Sequence, residues 1–159
     1  MGQPSVLGSR AMPTIMIAED ELLIADLMTE VLTDSGYDIC GVAGSVAEAI
    51  ELGERRRPDL AIIDLHLADR GIGSEIGATL RRGGRLGVLY ITGSSPGETD
   101  LTANDGDACL RKPFRLAELV AAVKIVERIV DADAADLPMP RGFEMLSPVP
   151  DDRSPETLK

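Results

Sequence analysis

Five side chains stand out for what they could do together: the adjacent acids Glu19 and Asp20, the acid Asp64, the hydroxyl of Thr92 and the ammonium of Lys112. Each ends or follows a short apolar run. Three carboxylates brought to one place repel, since two unit charges about 4 Å apart interact by roughly 4 kcal/mol at an effective dielectric near 20. Either a cation joins them or one acid takes up a proton. Oxygen ligands without a histidine or cysteine cluster favour a hard ion, and an open site that keeps waters favours Mg²⁺ over a calcium cage. Such an ion also neutralises charge on an incoming phosphoryl group.

The runs that carry these groups alternate with helical patterns. TIMIA (14–18) and LAIID (60–64) are apolar enough for strands buried on both faces, as is LGVLYI (86–91), which ends at Thr92. Residues 37–43 and 108–110 read as two more strands. Between them, Leu23/Leu27/Val31 and Ile24/Met28/Leu32 form two i, i+4 series that predict one wide helical face ending at Gly36. Ser45 with Glu48 predicts a capping box for a second helix, stopped by Pro58. A third helix is expected around 74–82, and Ser95, Pro96 and Glu98 predict the start of a fourth, poorly apolar one running toward Gly106. A long last helix runs from Leu116 to Val130. This alternation predicts a doubly wound α/β fold with five parallel strands in the order 2-1-3-4-5. In that order strands 1, 3, 4 and 5 are neighbours, and ligands collect at their carboxyl ends, where all five side chains converge.

The motifs IMIAEDE, LAIIDLHL, LYITGS and LRKPF, in this order and at these strand ends, resemble the receiver domains of two-component response regulators over residues 14–130. The resemblance implies a flavodoxin-like fold. It also implies that Asp64 is the phosphoacceptor, attacking a phosphohistidine, and that Asp20, Asp64 and the backbone carbonyl of His66 hold Mg²⁺, with Glu19 acting through a water. Lys112 and Thr92 would bind phosphoryl oxygens, Thr92 as the switch, and the Lys112 to Pro113 peptide would be cis. Phosphoryl transfer needs positioning and charge stabilisation above all, which these groups supply. Asp64 needs no general base, being ionised at neutral pH. Five positions depart from the family's usual pattern: Glu19 replaces an aspartate, Ala68 a proline, and Cys109 the aromatic that often turns with the switch hydroxyl, while Gly71 and Gly73 imply an irregular loop.

Composition narrows the alternatives. The chain has 159 residues, enough for one domain plus tails, and its net charge of −11 repels a phosphate backbone from most of its surface. Aromatics amount to 3% with no Trp, too few for a base-stacking platform. Direct nucleic-acid binding is therefore not expected. Cys40 and Cys109 lack metal spacing and fall on opposite sheet edges, so buried thiols and a reducing cytoplasm are expected. No run approaches a membrane span, and residues 1–13 read as a flexible lead in which Met12 is an alternative start. His66, the lone histidine, is expected on a solvent-facing loop, and Arg55, Arg56 and Arg57 at a solvated helix end.

The segment 131–159 has two readings. Its five prolines and seven acids argue for disorder, whereas Leu137, Met139, Phe143, Met145, Leu146 and Val149 supply apolar material for an arm that docks on its own domain or across a dimer. The resulting expectation is a stand-alone, phosphorylation-controlled switch. Its partners would be a histidine kinase or histidine phosphotransfer protein and a downstream protein target, with a homodimer open through the fourth helix, fifth strand, fifth helix and tail. Two alternatives are a Mg²⁺-dependent phosphatase of the haloacid dehalogenase type, disfavoured because His66 stands where its D-x-D motif has the second acid, and a degenerate receiver serving as a scaffold.

Overall fold

The computed structural model describes residues 12–67, 73–93, 100–131 and 137–148. Along the chain run β1 (Thr14–Ala18), α1 (Leu22–Asp34), β2 (Asp38–Ala43), α2 (Val46–Arg56), β3 (Leu60–Asp64), α3 (Ser74–Arg81), β4 (Gly87–Thr92), β5 (Ala108–Arg111), α4 (Leu116–Val130) and β6 (Phe143–Met145). The sheet has six strands in the order β2-β1-β3-β4-β5-β6. The first five pair in parallel, as the alternation predicts, while β6 pairs antiparallel with β5.

Strand periodicity divides the core into two layers. Ile15, Ile17, Leu60, Ile62, Leu89, Ile91 and Leu110 face a cluster with Met28 and Leu32 of α1 and Leu119, Val123 and Val126 of α4. Their alternates, including Met16, Ile63, Val88, Tyr90 and Cys109, face Ala49 and Leu52 of α2 and Ile76 of α3. β1, β3 and β4 therefore read as near-continuous apolar runs because both of their faces are covered.

The local signals act as their chemistry demands. The Ser45 side chain accepts a hydrogen bond from the Glu48 amide at 3.2 Å, and the Glu48 carboxylate reaches back to the Gly44 amide at 3.0 Å, one residue earlier than an ideal capping box. Gly36 closes α1 with φ 99, a conformation that only glycine adopts without strain. Arg57 ends α2 with φ 48 immediately before Pro58.

Three expectations need correction. The sheet has a sixth, antiparallel strand, so the five-stranded count is too low. Leu23 and Leu27, expected on one wide helical face, are exposed, because the helix meets the sheet along the arc of Ile24, Ala25, Met28, Val31 and Leu32. Residues 100–106, expected within a helix, hold turns instead: the Asp105 carboxylate accepts from the Thr102 amide at 2.9 Å and closes the chain on itself. Ser95, Pro96 and Glu98, like Ala68 and Gly71, lie outside the described residues. β6 covers the outer edge of β5.

Within the described residues 137–148 of the C-terminal segment, β6 lies on the chain's own β5. Phe143 is buried in the α1/α4 layer and Leu146 in the α2/α3 layer, so the segment straddles the sheet edge.

Tyr90 is an unusually demanding core residue. Its hydroxyl donates to the Asp105 carbonyl at 2.8 Å, and a Cβ on Gly77 of α3 would run into that hydroxyl and the same carbonyl. Gly77→Ala should therefore destabilise the domain by about 1–3 kcal/mol in urea unfolding, because α3 must back away from β4. An unchanged midpoint would show that α3 has room to spare.

Candidate functional site

The carboxyl ends of β1, β3, β4 and β5 bring the five predicted side chains to one edge of the sheet. Glu19 and Asp20 follow β1, Asp64 is the last residue of β3, Thr92 is the last of β4, and Lys112 follows β5. Neighbouring strands are in register here, with Asp64 opposite Ile91 and Thr92 opposite Arg111. The Lys112 amide donates to the Thr92 carbonyl at 2.8 Å, tying the two ends together. The Lys112 to Pro113 peptide is cis, as the resemblance implies.

One oxygen from each of Glu19, Asp20 and Asp64 lies within 4.8 Å of the others. Glu19, Asp64 and Thr92 are buried, whereas Asp20 is exposed. Asp64 is held at both oxygens: Oδ1 accepts from the His66 amide at 2.9 Å and Oδ2 from Lys112 Nζ at 3.1 Å. Glu19 is held by the Glu21 amide, which donates to its Oε2 at 3.1 Å. The His66 side chain faces solvent as expected, so its contribution to the Asp64 carboxylate comes from its main chain.

One ammonium faces three carboxylates, and burial together with these charges sets the titration of the site. Burial pushes the Glu19 carboxyl up to about 7; the Glu21 amide and Lys112 oppose the shift, while the Asp64 charge adds to it. For Lys112, burial pulls the other way, but the hydrogen bond and charge of Asp64, with Glu19 and Glu21 behind it, leave the ammonium above its ordinary value. The donor set is all oxygen, two of the acids are anchored by main-chain amides, and charge is under-compensated. These residues fit a hard divalent cation, held by Asp20 and Asp64 with Glu19 beside them.

Cys109 sits in mid-strand on β5, fully buried, opposite Tyr90 on β4 and Glu144 on β6. Burial, then the Glu144 charge, pushes its thiol up to about 11, which leaves it an inert packing group. The neighbouring strand thus carries a fixed aromatic, Tyr90, at the register position beside the cysteine, where sequence reading registers only a missing one. The two cysteines are free, with Cys40 on β2 and Cys109 on β5 and three strands between them.

This sheet and this strand-end site define a receiver-type α/β protein. Residues 15–124 match the family model described as the response regulator receiver domain, and the chain belongs to that family. It is 33% identical over 128 residues to the transcriptional regulatory protein PdtaR of Mycobacterium tuberculosis, covering 79% of this chain and 62% of PdtaR. The chain thus spans about three fifths of that relative's length. Among solved structures, a CheY-like response regulator receiver domain protein from Methanospirillum hungatei superposes with a TM-score of 0.68 at 23% identity, over 77% of this chain and 99% of that one. The receiver domain of the response regulator PhyR from Erythrobacter litoralis gives 0.64 at 22% identity, over 75% and 92%. These two likenesses concern the fold. Among the described residues, no helix is long and apolar enough to cross a membrane.

The raised Glu19 titration has a consequence for stability in metal-free protein. Between 4.5, its ordinary value, and about 7, the folded chain binds a proton that the unfolded chain has lost. The stabilisation is full below 4.5 and disappears as pH rises through 7. In EDTA, stability should therefore fall by about 1–3 kcal/mol between roughly pH 5 and pH 8 in urea unfolding, and Glu19→Gln should remove most of that fall. A slope that persists in the variant would assign it to another group.

Proposed function

We propose that the protein is a phosphorylation-controlled switch of two-component signalling in which Asp64 is the phosphoacceptor. The single observation that carries this reading is the Asp64 carboxylate held between the His66 amide and Lys112 while sharing a pocket with Glu19 and Asp20. A carboxylate so placed is fixed in orientation for attack. An Asp64 oxygen forms a bond to phosphorus as the bond from phosphorus to the donor's imidazole nitrogen breaks. The imidazole leaves with the electron pair, and the product is an acyl phosphate. Lys112, already 3.1 Å from Oδ2, follows the charge onto a phosphoryl oxygen, and the Thr92 hydroxyl donates to another. Mg²⁺, bound by Asp20 and Asp64 and the His66 carbonyl with Glu19 acting through water, would supply charge neutralisation for the transferred group.

The donor would be a histidine kinase or a histidine phosphotransfer protein, and the output a change in protein contacts or onward transfer of the phosphoryl group. The strong net negative charge supports a protein output over direct nucleic-acid binding. Cytoplasmic placement follows from such partners. The Asp64 chemistry makes the chain a stoichiometric acceptor that supports its own phosphorylation and dephosphorylation.

Incubation with acetyl phosphate and Mg²⁺ should add about 80 Da to the intact mass, one phosphoryl group in place of a proton, and Asp64→Asn should abolish the adduct. Lys112→Met should lower its yield by at least roughly tenfold by removing the cation that follows the charge. Multiple turnover of phosphomonoesters would indicate a phosphatase instead, and absence of any adduct would indicate a scaffold.

A further inference from the structure

The C-terminal segment is attached at both of its ends to the chain around the proposed switch. At one end, the Arg111 amide donates to the Gly142 carbonyl at 2.9 Å, and Arg111 directly precedes Lys112. At the other end, the Leu146 amide donates to the Asp107 carbonyl at 3.0 Å and the Ala103 amide to the Ser147 carbonyl at 2.8 Å, in the stretch that joins Thr92 to β5. Between these ties run the register pairs Leu110 with Phe143, Cys109 with Glu144 and Ala108 with Met145. The stretch 103–107 is itself clamped: Arg81 of α3 pairs with Asp107 at 2.7 Å and donates to the Ala103 carbonyl at 2.8 Å. The segment therefore bridges an anchored stretch and a strand end that leads straight into the phosphoryl-binding lysine.

We propose that β6 is a latch on the β5 edge which phosphorylation of Asp64 releases, uncovering that edge for an extended segment of a partner protein; this rests on the phosphoacceptor reading. A phosphoryl group on Asp64 draws Lys112 and Thr92 inward, toward β3 and away from the sheet edge. Their main chains move together because Lys112 and Thr92 share a hydrogen bond. Arg111 follows Lys112, while the clamped stretch 103–107 stays in place, so the Arg111 to Gly142 bond lengthens first and the rest of the segment, with its ties to Asp107 and Ala103, then detaches. β6 has only three residues, and Met145 and Glu144 are exposed, so few contacts hold it and little free energy separates docked from free. Its Phe143 and Leu146 are the two anchors, one in each core layer.

The uncovered surface consists of the free backbone groups of β5 and the two sockets left by Phe143 and Leu146. That arrangement takes an extended segment with large apolar side chains three residues apart, added antiparallel, since this is how the chain's own segment fills it. A partner of that kind competes with β6 for one edge, and phosphorylation tips the competition.

The test is hydrogen exchange on the full-length chain with Mg²⁺, with and without acetyl phosphate, read beside intact mass. In the phosphorylated protein the amides of Arg111, Leu146 and Ala103 should exchange about tenfold faster or more, while β1 and β3 amides hold their rates and Asp64→Asn shows no response. A labelled peptide with the sequence of residues 137–148 should bind the phosphorylated chain at least about tenfold more tightly than the Asp64→Asn protein. A mass adduct with unchanged exchange at those three amides overturns the latch and leaves the phosphoacceptor reading standing. Faster exchange with equal peptide binding overturns the docking edge. Absence of the adduct overturns both readings together.

Discussion

Three carboxylates within 4.8 Å of one another, with a single ammonium among them, form an arrangement that no short piece of this chain would adopt by itself. The parallel sheet imposes it. Main-chain ladders between β1, β3, β4 and β5 fix where their ends lie, and two apolar layers make displacing a strand far costlier than the mutual repulsion of the acids. The site is thus kept short of positive charge by the stability of the core. Burial first, and the Asp64 charge after it, raise the titration of Glu19, and the same all-oxygen, charge-deficient cluster fits a cation.

The same framework explains why events at the site can reach the sheet edge. Lys112 and Thr92 are bonded to each other through their main chains, and one residue away Arg111 holds the C-terminal segment. Tyr90, packed against Gly77 and bonded to Asp105, makes the interior side of β4 rigid, so displacement at the strand end is not absorbed in the core. With Cys109 in place of an aromatic on β5, the edge is filled by Leu146 from outside the five-stranded unit.

Much of the fold was legible because the physics behind it is local. Apolar runs covered on both faces announced β1, β3 and β4, and Ser45, Gly36 and Pro58 marked helix ends through hydrogen bonding and backbone geometry that hold in any context. The errors lie where long-range packing chooses. The Leu23/Leu27 row has the same periodicity as the Met28/Leu32 row, and only the orientation of α1 on the sheet leaves it exposed. Thr102 and Asp105 sit in a stretch that read as a weak helix, but their side-chain and main-chain bonds close a turn instead. Phe143 and Leu146 were visible as apolar residues among prolines, yet their three-residue strand has no period of its own to read.

By itself the sequence determined the chemistry on offer: three acids, a hydroxyl and a lysine, each attached to the end of a strand whose composition required burial. It also determined the parallel order, because βα alternation with short connections leaves few other topologies. Only the tertiary structure decided which groups touch: that Lys112 takes Oδ2 of Asp64 while the His66 amide takes Oδ1, that Glu19 lies deep enough to hold its proton near neutrality, and that β5 is covered by the chain's own C-terminal segment. The reason is physical. Strand ends are specified by patterns a few residues long, whereas charge compensation and edge pairing depend on groups brought together from distant parts of the chain, and these exist only once the core has closed.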